Sequence, residues 1–153
     1  MLQRILHLDD DLDDVYFLKH AYKRAGIARP LLAVSDGQEA INYLEGAARS
    51  QSKSGYPLVS LVLLDLKLPR VSGLEVIRWI RSRPALEALP VIVLTSSEYP
   101  PDLERARALG ANACLQKPAQ FDGYREIIEQ VERWLKRAAC LEKLDQTAHD
   151  LAA

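Results

Sequence analysis

Hydrophobic residues are arranged in two ways along the chain: in short unbroken runs, and in longer stretches where they recur every three or four positions. The runs Ile5-Leu6-His7-Leu8, Leu31 to Val34, Leu61 to Leu64, Val91 to Leu94 and Ala113 to Gln116 predict strands buried on both faces. The intervening stretches predict helices. The first is capped by Asp11, carries Val15, Leu18, Tyr22 and Ala25 inward, and ends at Gly26. The second follows Ser35-Asp36-Gly37 to about Glu45, with Ala40, Ile41 and Leu44 inward. Gly46 to Pro57 is the longest polar stretch and predicts a surface loop or frayed helix end. Pro69 and Gly73 open a third helix carrying Leu74, Val76, Ile77 and Ile80, which ends near Pro84. Pro100-Pro101 starts a short fourth helix that closes at Gly110. A long final helix begins near Phe121 with Tyr124, Ile127, Ile128, Val131 and Leu135 inward.

Alternating strands and helices fold as an α/β protein with a doubly wound parallel sheet. In such a sheet, reacting groups gather beyond the carboxyl ends of the strands. Four of the runs stop there at different chemistry: Asp9-Asp10-Asp11, Asp65, Thr95 and Lys117. The flavodoxin-like strand order 2-1-3-4-5 sets Asp9 and Asp10 beside Asp65 where the order reverses. Three carboxylates in one crevice require a compensating cation or a sharply raised pKa, and Mg²⁺ suits such oxygen ligands. Lys117 and Thr95 add donors, as a site receiving an anion requires. Asp65 is then the candidate nucleophile for a phosphoryl group, with Lys117 pairing to it as a point charge.

At 153 residues the chain is long enough for one domain with a full core. Its 48% hydrophobic and 27% charged residues are ordinary for a globular protein. A net charge of -1 and a pI near 6.3 disfavour nucleic acid as a partner. No apolar signal region or membrane-length run is present, so a cytoplasmic location is expected. Cys114 and Cys140 predict no disulfide, and His7, His20 and His149 are too scattered for a metal motif.

Leu8-Asp9-Asp10, Leu64-Asp65 with Pro69 and Gly73, Leu94-Thr95-Ser96 and Lys117-Pro118 together resemble the receiver domain of two-component response regulators, over about residues 4 to 137. The resemblance implies that Asp65 accepts a phosphoryl group from a phosphohistidine kinase. It implies that Asp10, Asp65 and the Lys67 backbone carbonyl bind Mg²⁺, with Asp9 acting directly or through water. Thr95 would bond the phosphoryl, Lys117 would contact it, and the Lys117–Pro118 bond would be cis. The expected role is signalling rather than enzymatic. Asp13-Asp14-Val15, the long loop before strand three, Leu66-Lys67-Leu68-Pro69-Arg70, Phe121 and Trp134 resemble the stand-alone receivers that partner bacterial phytochrome kinases.

One residue departs from the family pattern. Three positions before the lysine, receivers usually carry Tyr or Phe, and here Cys114 stands there. Tyr99 could supply an aromatic instead, or signalling could run through the final helix. Asp13 and Asp14 read as ordinary first-turn acids of a helix. Lys67 and Ser97 read equally as tuning residues or as solvated surface. His7 reads as a satisfied interior histidine, and Cys114 as a small buried apolar residue. Val131, Trp134, Ala138 and Leu141, continued by Leu144, Ala148 and Leu151, form a stripe that could support a homodimer. A receiver domain over 1–137 and a C-terminal helical extension or tail over 138–153 are therefore expected.

A haloacid-dehalogenase-type phosphatase is the strongest rival, because Asp9-Asp10-Asp11 follows an apolar run and Val91 to Ser96 resembles that family's second motif. It needs a further acidic pair on a strand after Lys117 and leaves Asp65 idle. A flavin-binding protein needs phosphate donors in its first loop, where three aspartates would repel a phosphate.

Overall fold

The computed structural model describes residues 4–49 and 59–152. Strands β1 (Arg4–Leu8), β2 (Leu31–Val34), β3 (Val59–Leu64), β4 (Val91–Thr95) and β5 (Ala113–Gln116) form one parallel sheet in the order β2-β1-β3-β4-β5. The helices are α1 (Leu12–Arg24), α2 (Gly37–Arg49), α3 (Gly73–Ser82), α4 (Pro100–Leu109) and α5 (Tyr124–Ala152). Short 3₁₀ turns at Pro84–Leu86 and Phe121–Gly123 precede β4 and α5.

Unbroken apolar runs arise because the central strands are covered on both faces. Leu6, Leu8, Val62, Leu64, Val91 and Val93 pack with residues of α2, α3 and α4. The alternating set Ile5, Leu61, Leu63, Ile92 and Leu94 packs with Leu18 and Tyr22 of α1 and with Tyr124, Ile127, Ile128, Val131 and Leu135 of α5. Register keeps the strand ends level: Leu8 lies opposite Val34 and Leu64, Leu64 opposite Val93, and Thr95 opposite Gln116.

Several boundaries differ from the sequence expectation. Helix α2 continues past Glu45 to Arg49, because Ala47 is buried in the core and its packing offsets the helix cost of Gly46. Residues 50–57 of the expected loop lie outside the described residues. Ala25 is exposed rather than inward, since it is the C-cap of α1, and Gly26 follows at φ 69°. Helix α5 starts at Tyr124, one 3₁₀ turn later than expected.

Two glycines fix the loops that end at the site. A Cβ on Gly73 would lie 2.4 Å from the Asp65 carbonyl oxygen and 2.6 Å from the Leu66 Cα, so α3 begins in backbone contact with the loop after β3. The Gly73 N–H donates to the Leu66 carbonyl at 3.0 Å, and the Ser72 and Glu75 side chains close a capping box there. On the other side, a Cβ on Gly123 would lie 2.3 Å from the Pro118 Cβ, so Pro118 seats directly on the turn that launches α5. Gly73→Ala should therefore destabilise the protein by about 2 kcal/mol through forced backbone displacement, measured by urea unfolding. An unchanged midpoint would show that the loop after β3 yields freely.

Candidate functional site

Each strand end delivers one part of a charged cluster. Asp9 follows β1, with its N–H held by the Val34 carbonyl at 3.1 Å, and Asp65 follows β3, with its N–H held by the Leu8 carbonyl at 2.9 Å. The sheet ladder thus carries both carboxylates to the same crevice, where they are 2% and 6% exposed. Asp9 Oδ1 accepts from the Asp11 N–H at 3.0 Å, and Asp65 Oδ1 accepts from the Lys67 N–H at 3.2 Å. Asp10, also in the turn, is exposed, and the carboxylates of Asp9, Asp10 and Asp65 can bring ligand oxygens within 4.8 Å of one another.

Lys117 reaches this cluster from the end of β5, its N–H bonded to the Thr95 carbonyl at 2.8 Å. Its Nζ lies 2.8 Å from Asp65 Oδ2, 2.8 Å from Asp9 Oδ2 and 2.7 Å from Asp14 Oδ2, with the side chain 8% exposed. Burial by itself lowers an ammonium pKa, but the hydrogen bonds to Asp14 and Asp65 and the close approach of Asp9 outweigh it and raise Lys117 above the usual lysine range. The bonds to Asp14 and Asp65 are directed hydrogen bonds. The approach to Asp9 Oδ2 is an ion pair without that alignment, so this buried oxygen has a nearby charge but no aligned donor. Burial raises the Asp9 pKa, and the Lys117 and Asp11 donors offset only part of that rise.

A buried carboxylate oxygen with no aligned donor, beside two further carboxylates, is chemically fitted to a hard divalent cation. Thr95 stands beside Lys117, whose N–H its carbonyl accepts. It is 1% exposed at the end of β4, and its Oγ1 accepts from the Ser97 N–H at 3.2 Å, leaving the hydroxyl proton to donate. Ser97 Oγ in turn accepts from the Tyr99 N–H at 3.3 Å, which shapes the entry to α4.

Asp9, Asp10, Asp65, Thr95 and Lys117 therefore converge at the strand ends, as the sequence predicts. Lys67 contributes its amide to Asp65, and its side chain is exposed. Asp14 had the reading of a first-turn acid and is more than that: it grips Lys117 and accepts from the Tyr124 hydroxyl at 3.2 Å. A sequence signal existed, because Asp14 lies one helical turn before Leu18 on the buried stripe of α1.

Three other expectations need correction or placement. The Lys117–Pro118 bond is trans, since no cis peptide occurs among the described residues. Trans is intrinsically favoured by about 0.5–1 kcal/mol at X–Pro bonds, and Nζ makes all its contacts from the trans form. His7 is not satisfied: it is buried, its Nδ1 has no partner, and its Nε2 stands 3.8 Å from Asp9 Oδ2, too far for a hydrogen bond. The β1 alternation places it on the face that carries Ile5, which packs with α1 and α5. Cys114 is half-buried against the α2–α3–α4 side, its thiol pKa pushed up by burial and then partly offset by Arg107, while Tyr99 is 61% exposed.

Residues 5–131 match the family profile described as response regulator receiver domain. The chain belongs to the response regulator receiver domain family. This receiver is 36% identical over 132 residues to a probable methanogenesis regulatory protein FilR2 of Methanothrix harundinacea, covering 86% of this chain and 83% of that one. It is similar to the phosphorylated cyanobacterial phytochrome response regulator RcpA, with a TM-score of 0.76, 28% identity, and 88% and 94% of the two chains covered. The Mn²⁺-bound response regulator Rcp1, known from Synechocystis sp., gives a TM-score of 0.74 at 29% identity over 87% and 94%. The receiver is thus homologous to phytochrome response regulators, and the phosphatase alternative has no support among these relatives.

His7 gives the receiver a specific pH response. Burial first, and the Lys117 charge second, lower its pKa from 6.5 to about 4. Between those values the unfolded chain holds the extra proton, so stability increases with pH across the window and is lost as pH falls from about 6.5 toward 4. From about pH 7.5 to about pH 5, His7 should account for a loss of roughly 2 kcal/mol in urea unfolding, absent from His7→Leu. Equal losses in both chains would contradict this.

Proposed function

We propose that the receiver accepts a phosphoryl group on Asp65 from the phosphohistidine of a sensor kinase, and that the phosphorylated form signals by protein–protein contact. The observation that carries this reading is Lys117 Nζ held 2.8 Å from the buried Asp65 carboxylate, with Asp9 and Asp10 beside it. In the transfer, an Asp65 carboxylate oxygen bonds to phosphorus as the nitrogen–phosphorus bond of the donor breaks. The donor imidazole keeps that electron pair and takes up a proton.

Asp9, Asp10, Asp65 and the Lys67 carbonyl would hold Mg²⁺, which supplies charge neutralisation for the incoming phosphoryl oxygens. Rcp1, a relative, has Mn²⁺ bound, which supports a divalent ion here. Lys117 moves a donor from Asp65 Oδ2 to a phosphoryl oxygen, while the Thr95 hydroxyl donates to another. The protein then acts on no substrate beyond its own phosphoryl group.

Likeness to a phytochrome response regulator supports a phytochrome-type histidine kinase as the donor. A cytoplasmic location fits such a partner, and no described helix is long and apolar enough to cross a membrane. Residues 1–137 would form the receiver and 138–153 an extension of α5 that supports a homodimer. The continuous helix to Ala152 and the exposed Leu151 favour that extension, while the side chains of Leu141 and Leu144 lie outside those described. Light scattering should show that a chain ending at Arg137 loses the dimer, and an unchanged mass would exclude the extension as its basis.

Incubation with Mg²⁺ and acetyl phosphate should add one acid-stable, base-labile phosphoryl group by intact mass. Asp65→Asn should gain none. An adduct that persists in Asp65→Asn would overturn the assignment.

A further inference from the structure

Lys117 has more to hold it than the two carboxylates at the strand ends. Its shortest contact, 2.7 Å, runs to Asp14 Oδ2 on the first turn of α1. The other oxygen of the same carboxylate accepts the Tyr124 hydroxyl at 3.2 Å. Tyr124 is the first residue of α5, 2% exposed, and seated just after the turn where Pro118 packs on Gly123. Asp14 thus bridges Lys117 to the start of α5, with one oxygen committed to each.

Geometry gives this bridge a chemical task. When a phosphoryl group arrives on Asp65, the lysine must release Asp65 Oδ2 and turn one N–H to the phosphoryl while the rest of the ammonium stays in place. Its contact with Asp9 is poorly aligned and cannot fix the ammonium's direction. The Asp14 bond is directed and independent of the reacting atoms. With the Tyr124 hydroxyl on Oδ1 and the lysine on Oδ2, the plane of the Asp14 carboxylate is held by a donor at each oxygen. Burial, and next the Asp14 charge, keep that hydroxyl protonated by pushing its pKa above the normal tyrosine range.

We propose that Asp14 is a positioning residue for Lys117 in phosphoryl transfer, and that the Tyr124 hydroxyl acts through Asp14. This role rests on the phosphoacceptor reading of Asp65. Two effects of changing Asp14 oppose each other, since removing a carboxylate also weakens the repulsion of an incoming anion. Tyr124→Phe separates them, because it deletes one hydroxyl and changes no charge.

The test measures the rate of phosphoryl incorporation from excess acetyl phosphate with saturating Mg²⁺ in four chains: wild type, Tyr124→Phe, Asp14→Ala and the double variant. Thermal unfolding checks that each is folded. Tyr124→Phe should slow incorporation about fivefold in the wild-type background and have no effect in the Asp14→Ala background, the non-additivity expected of groups acting in series. The Lys117 ammonium protons should also be visible in ¹H–¹⁵N spectra of the wild type, held from exchange, and be lost in Asp14→Asn. That spectrum decides the matter if Tyr124→Phe does not fold: a signal unchanged in Asp14→Asn overturns the role. A wild type that is phosphorylated while Tyr124→Phe matches its rate, or slows equally with and without Asp14, overturns the role alone. A wild type that takes no phosphoryl group overturns the phosphoacceptor reading, and this role with it.

Discussion

Bringing Asp9, Asp14 and Asp65 within reach of one another is unfavourable unless a cation sits among them, and Lys117 is that cation. Unpaired charges at such separations interact strongly once water is excluded, and each carboxylate left alone would neutralise by binding a proton. The ammonium touches all three, so the first turn of α1 and the ends of β1, β3 and β5 are tied at one atom. Breaking a buried pair of this kind by removing one partner typically costs about 3–5 kcal/mol, because the remaining charge is stranded. The cluster is nevertheless under-neutralised: with Asp10, four carboxylates face one ammonium. That imbalance suits the crevice to a divalent ion, and a divalent ion there would offset the repulsion that the proposed phosphoryl transfer has to overcome.

The sheet carries the arrangement. Parallel strands end level with each other, and the chain order reverses between β1 and β3, the place where such sheets form a crevice at their strand ends. Close packing then holds the loops. Gly73 allows α3 to rest on the Asp65 backbone, and Arg70, at φ 65°, is held in the left-handed region while paired with Asp36 across the neighbouring loop. Asp65, the proposed phosphoacceptor, is therefore carried by a short, cross-braced segment, which suits a group whose position must be reproducible.

Much of this was legible in the sequence. Runs such as Leu61 to Leu64 and Val91 to Leu94 marked strands buried on both faces, and their polar stops named five of the residues that meet at the site. Asp14 escaped because a first-turn acid has a sufficient local explanation in the helix dipole, and only the path of Lys117 gives it a second one. Tyr124 escaped for a similar reason: its ring satisfies the core periodicity, and periodicity says nothing about where a hydroxyl points. The unpartnered Nδ1 of His7 has no sequence signal, because hydrogen-bond satisfaction depends on what faces a side chain across the sheet, which no one-dimensional pattern records.

Helix α5 is a continuous rod. It comprises 29 residues, so its two ends are separated by about 42 Å at 1.5 Å rise per residue. Its first residue touches the charged cluster, and beyond Leu135 the rod leaves the core. A tilt of about 5° at the Tyr124 end moves the far end by nearly 4 Å, roughly the width of a methyl group, at that length. Mechanical gain of this size needs no aromatic side chain to swing at position 114. A shift at the Tyr124 end would thus be read about 42 Å away along the rod.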